Sequence, residues 1–158
     1  MHRSPSSLPE AARGRIAAAL DATLADGLDL HGALKSAHWN LKGPLFASLH
    51  PLFESIAVGL AEHNDEIAER AVTLGGRVHG TARHVAAASR LVPYPEETTR
   101  DLDHVRLVAD RVDGYLEGVR ATRARADEEK DQDTVDLLTG VVEALEKHGW
   151  FLRATLGE

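Results

Sequence analysis

Apolar and small residues recur three and four positions apart along most of the chain, the spacing by which a helix turns one face toward a bundle core. Four long stretches carry it. The first is opened by Ser7 and Glu10, a capping-box spacing, and follows Ile16, Leu20, Leu24, Leu28, Leu34, Ala37 and Leu41 until Gly43 and Pro44 stop it. The second begins between Phe46 and Ser48, follows Leu49, Phe53, Ile56, Leu60, Ile67 and Leu74, and ends at Gly75 and Gly76. The third follows Leu102, Val105, Ala109, Val112, Leu116 and Val119. After an acidic link the fourth is capped by Asp133, with Asp136 three residues on, and continues through Leu138, Val141, Leu145 and Leu152.

Between the second and third stretches, Thr81 to Ala88 predicts a short helix and Pro93-Tyr94-Pro95 a break. The resulting crossover of about 20 residues is uncommon inside a compact domain unless it traverses the bundle. No strand pattern is present. Two helical hairpins joined by a long crossover predict an all-α, ferritin-like four-helix bundle rather than a simple up-and-down one. One such domain is expected over residues 9–158, behind a flexible N-terminal arm at residues 1–8.

Composition narrows the chemistry. The 43% hydrophobic and 27% charged content suits a globular domain with a real core and argues against disorder. No apolar run approaches the roughly 20 residues of a membrane helix, and the polar start is unlike a signal peptide, so a soluble cytoplasmic protein is expected. With no cysteine, any metal must be held by His, Asp or Glu, which favours iron, manganese or zinc. The net charge of −7 disfavours generic nucleic-acid binding.

The second helix carries His50, Glu54, Asp65 and Glu69 within one narrow angular sector, at about 100° per residue. Surface charge is the ordinary role of such carboxylates. Against it, His38 sits on the apolar stripe of the first helix, and the short loop at Gly43-Pro44 brings that helix end beside His50 and Glu54. A lone core histidine is more often packing; one facing a second histidine and a carboxylate has the ligand set of a metal site. The 11 positions from Glu54 to Asp65 span about 16 Å, too far for one metal. Both half-sites are usable only if two copies of the second helix meet antiparallel in a two-fold dimer, so that His38, His50 and Glu54 of one chain face Asp65 and Glu69 of the other. An intrachain di-iron centre needs Glu-x-x-His pairs, and the nearest pattern is Asp101-x-x-His104.

The run Lys35-Ser36-Ala37-His38-Trp39-Asn40, then Gly43-Pro44, Phe46, Leu49-His50, Asp65 with Glu69-Arg70, and Leu74-Gly75-Gly76 with Gly80 resembles the Dps family of small ferritins. The likeness continues through Tyr94-Pro95 and Lys147-His148-Gly149-Trp150-Phe151-Leu152. The resemblance implies a hollow dodecamer that takes up ferrous iron, oxidises it preferably with hydrogen peroxide, and stores the ferric mineral. Its iron ligands carry over as His38, His50 and Glu54 of one subunit with Asp65 and Glu69 of its two-fold partner. Trp39 matches the tryptophan beside that centre, either packing or absorbing a stray oxidising equivalent. Lys35 is either an anchor for a site carboxylate or a solvated lysine.

The chain departs from the family pattern at Phe53-Glu54-Ser55, where Phe-Asp-Glu is usual, and Pro51 follows His50 closely; both bear on metal affinity. The acidic residues Asp127, Glu128, Glu129, Asp131, Asp133 and Asp136 are a candidate cation-attracting pore or an ordinary exposed loop. His31, His63, His79, His84, His104 and His148 have no partner spacing. DNA binding is expected to be weak or absent, since the N-terminal region offers only Arg3, Arg13 and Arg15 and twelve copies would carry roughly −84. Two other readings remain: a non-catalytic helical interaction module, and a zinc- or manganese-binding relative with little ferroxidase activity.

Overall fold

The computed structural model describes residues 1–158 as five helices: α1 (Glu10–Asn40), α2 (Phe46–Thr73), α3 (Ala82–Ala88), α4 (Asp101–Glu128) and α5 (Gln132–Leu156). The long helices pair as hairpins, α1 with α2 and α4 with α5, and α1 also packs on α4. The crossover between α2 and α4 lays α3 against α1. The apolar stripes predicted from spacing form the core: Leu20, Leu34, Phe53, Ile56, Ile67, Val105, Val112, Leu138 and Val141 are all fully buried, while Leu28 and Leu102 are half-buried. This is the all-α ferritin-like bundle with a short helix in its crossover.

The helix ends differ from their sequence signals in two places. Pro9, not Ser7, precedes the first turn of α1, and no side chain caps it. Proline holds its own φ, here −54°, and its carbonyl accepts the Arg13 N–H, so the turn starts without a serine cap. At α5 the cap is Asp131 rather than Asp133: its carboxylate accepts the Thr134 N–H and the Thr134 hydroxyl. Arg70 reaches from α2 to the same carboxylate at 2.5 Å, which fixes Asp131 as the cap and leaves Asp133 exposed in the first turn.

Residues 2–4 run along the end of α2. The His2 N–H donates to Gly75 O and the Ser4 hydroxyl to Thr73 O, both at 2.7 Å, while Arg13 reaches Leu74 O at 2.9 Å. These donors satisfy carbonyls that a helix terminus leaves without partners. Gly75, at φ +90°, closes α2 with its N–H on Val72 O and the Gly76 N–H on Ala71 O, the paired bonds of a left-handed helix stop.

The corner between α1 and α2 positions the site. α1 ends at Asn40, before Gly43, because the Lys42 N–H bonds Thr99 O at 2.7 Å and the Asp101 N–H returns to Lys42 O at 3.0 Å. The Asp101 carboxylate then accepts the Leu45 N–H at 2.9 Å. A Cβ on Gly43 would stand 2.2 Å from that carboxylate, at a φ of +149°, so only glycine fits.

Candidate metal centre

His38 lies in the last turn of α1 and His50 in the second turn of α2, where the pinned corner brings them together. Their rings stack with centroids 3.7 Å apart. Each ring bonds the other residue's main chain: His38 Nδ1 to His50 O at 2.8 Å, and His50 Nδ1 to His38 O at 2.9 Å. A carbonyl only accepts, so both Nδ1 atoms carry the proton. With the Nδ1 proton fixed in this way, it is Nε2 that each imidazole offers to a metal, the lone-pair donor of the neutral ring that a metal ligand requires. The His38 carbonyl is free for this role because α1 has ended and the Lys42 N–H has turned to Thr99.

Glu54, one turn beyond His50, brings its carboxylate to 3.5 Å from His38 Nε2. Lys35, one turn before His38 on α1, forms an ion pair with the same carboxylate. The Lys35 hydrogen bond holds the Glu54 carboxyl below the ordinary carboxylate range, against an opposing desolvation effect, so it is anionic and aimed at the imidazoles. Trp39 stands outside this group, 70% exposed, with Lys35 Nζ 5.6 Å from its ring centre. Pro51 is the sixth residue of α2, beyond the first turn, because the helix starts at Phe46. α2 continues through it.

Asp65 and Glu69 are not brought to this group. Both are exposed further along α2, and neither has an ion-pair or hydrogen-bond partner within the chain. The bundle interior offers no competing centre: the buried carboxylates Asp26, Asp101 and Asp131 are engaged by Arg90, the Leu45 main chain and Arg70 respectively. His104, the partner in the Asp101-x-x-His104 spacing, is buried against the Tyr94 hydroxyl at 2.5 Å. Of the acidic link, Glu129 pairs with Arg15 and Asp131 caps α5, leaving the rest at the surface.

Sequence spacing placed His38, His50 and Glu54 near one another but missed the reciprocal ring-to-carbonyl bonds. Half of the signal was present: His38 lies in the last turn of α1, where carbonyls lose their helical partners, whereas His50 lies near the start of α2, where only N–H groups do.

The family model described as a ferritin-like domain matches residues 17–158. The DNA protection during starvation protein of Agrobacterium fabrum is 34% identical over 157 residues, covering 99% of this chain and 97% of that protein. The chain belongs to the Dps family. DNA protection during starvation protein 2 of Bacillus anthracis is 33% identical across 88% of this Dps chain and 94% of its own length. Among solved structures, DpsA14 from Streptomyces coelicolor superposes with a TM-score of 0.93 at 31% identity, covering 97% of this chain and 90% of its own. The Dps protein of Vibrio cholerae superposes at 0.92 with 26% identity, covering 99% and 98%, and is described as a member of a broad superfamily of ferritin-like diiron-carboxylate proteins.

Proposed function

We propose that this Dps protein binds ferrous iron at sites shared between two subunits, oxidises it preferably with hydrogen peroxide, and stores the ferric product inside a hollow homo-oligomer, a dodecamer built from two-fold dimers. The observation that carries this reading is the tautomer lock: two imidazoles with Nδ1–H tied to main chain and Nε2 free, beside an ionised Glu54. The relative from Vibrio cholerae, placed among diiron-carboxylate proteins, supports the choice of iron.

In this proposal Asp65 and Glu69 of the two-fold partner complete the ligand set. Their exposure and lack of internal partners suit groups that meet a neighbouring chain. Ferrous iron is the substrate. Two ferrous ions each give up one electron, the O–O bond of one peroxide breaks, and its oxygens leave as water or enter ferric oxyhydroxide with release of protons. The chain's residues supply hard anionic oxygen donors that favour the ferric product, and few enough ligands to leave positions for water and oxidant. Lys35 is a positioning residue that keeps Glu54 charged and extended. Trp39, exposed beside the centre, is available to take up a stray oxidising equivalent.

Complementation tests the shared site. In a mixed dimer of His38→Ala with Asp65→Ala, both lesions fall in one site and the other site is intact. Random co-assembly makes half the dimers mixed and restores about a quarter of wild-type ferrous oxidation, while each variant alone is inactive. Absence of recovery in verified mixed assemblies would reject the intersubunit site. Retention of zinc or manganese with no stoichiometric iron oxidation would favour the metal-binding relative over the ferroxidase.

A further inference from the structure

Asp21, His79 and His84 have no spacing in sequence that suggests a common role, yet the fold gathers them. Asp21 lies on the outer side of α1, His79 in the crossover before α3, and His84 within α3. The His79 main-chain N–H donates to one Asp21 carboxylate oxygen at 2.8 Å, and its ring Nδ1 meets the other at 2.9 Å. The His84 ring lies beside that of His79, with centroids 4.9 Å apart. One donor atom from each of the three residues falls within 4.8 Å of the other two.

We infer that these residues form a second divalent-cation site, of zinc type, which pins the crossover to α1. Two imidazoles and one carboxylate are a recurrent three-ligand set for zinc, with water in the fourth position. Bonds of about 2.1 Å place tetrahedral donors about 3.4 Å apart, so the group closes around a cation by side-chain adjustments of roughly an ångström. The main-chain bond to Asp21 already holds the backbone of His79 in place. The proton shared by His79 Nδ1 and Asp21 occupies the position that a cation would take. Asp21 and His84 are half-buried and His79 is exposed, which leaves an approach from solvent.

The site is separate from the centre at His38. The 17 positions between Asp21 and His38 on the same helix correspond to about 25 Å. No residue is common to the two sites, so the proposal does not depend on the iron reading.

Cobalt(II) is the spectroscopic probe, added to the full chain carrying His38→Ala and Asp65→Ala so that the other centre does not contribute. One tetrahedral cobalt per chain is expected, lost when His79→Gln and His84→Gln are added. Zinc soaked into crystals of the wild-type chain provides a reading that needs no variant. An anomalous peak at bonding distance, about 2.0 to 2.2 Å, from Asp21 and both rings would support the site. Cobalt binding unaltered by the two glutamine substitutions, or zinc-soaked crystals with no anomalous peak among these residues, would overturn it and leave an Asp21–His79 ion pair alone.

Discussion

His38 and His50 each donate a ring N–H to the other's main-chain carbonyl, so neither imidazole is oriented independently. Removing one ring deletes a proposed ligand but keeps the main-chain carbonyl that orients the other ring, which loses only its stacking partner. His38→Ala and His50→Ala should each slow ferrous oxidation through loss of the ligand itself, by at least the roughly 10- to 100-fold that losing a mere outer-shell partner costs. The double variant should be little worse than either alone, as expected for groups acting as a unit. Initial rates with peroxide measure this; multiplicative losses would show that the rings act separately.

Lys35 sets the charge of Glu54 through a direct hydrogen bond. An ammonium stabilises the carboxylate and lowers its pKa, so its removal raises that pKa toward the ordinary range. In Lys35→Met the acid limb of the oxidation rate should move to higher pH, because Glu54 takes up its proton earlier on acidification. Lys35→Arg should keep the limb near its wild-type position. A Lys35→Met profile superimposable on wild type would assign Lys35 to solvent.

The bundle could be read from spacing because its helices bury continuous stripes, and nothing in Leu20, Phe53 or Val141 competes with that pattern. Helix ends were harder. Ser7 and Asp133 have the right chemistry for caps, but Pro9 and the Arg70–Asp131 bond decide where the turns begin, and the second is a contact 61 residues apart in sequence. The cluster at His38, His50 and Glu54 followed from one short loop. Asp21, His79 and His84 did not, because two of the three belong to the crossover, whose path over α1 depends on long-range packing rather than periodicity.

Acid stability should turn on His104 first. Burial lowers its pKa below the ordinary 6.5, so the unfolded chain binds a proton more readily than the folded one. Its stabilising contribution is present above about 6.5 and is lost as pH falls from there through the folded value. His148 has the same sign, again mainly from burial, and Asp101 and Glu129 extend the loss into the carboxylate range, where the Leu45 N–H and Arg15 depress their pKa values. Burial pushes the Tyr94 phenol up to about 12, so it stays protonated, with its hydroxyl 2.5 Å from His104 Nδ1. His104→Gln keeps an acceptor for that hydroxyl but does not titrate. Its Tm should fall less steeply than wild type between about pH 6.5 and 5, with a residual slope from His148. An unchanged slope in melting scans would remove His104 from the account.

Duplex DNA should bind weakly or not at all at physiological salt. Of the three N-terminal arginines, Arg13 bonds Leu8 O and Leu74 O, and Arg15 is held by both carboxylate oxygens of Glu129. That leaves Arg3 to face a phosphate backbone, on a chain whose net charge is −7. Each phosphate contact contributes through counterion release, and one unengaged arginine in the N-terminal region cannot offset the repulsion of a chain carrying −7. A gel shift should show no retarded band at micromolar protein in about 0.15 M salt, where screening acts beyond about 8 Å. Appending five lysines to the N-terminus should create salt-dependent binding, because it supplies mobile positive charge without disturbing the bonds of Arg13 and Arg15. Tight retardation by the unmodified protein at that salt would mean that another surface, formed only on assembly, carries the contact.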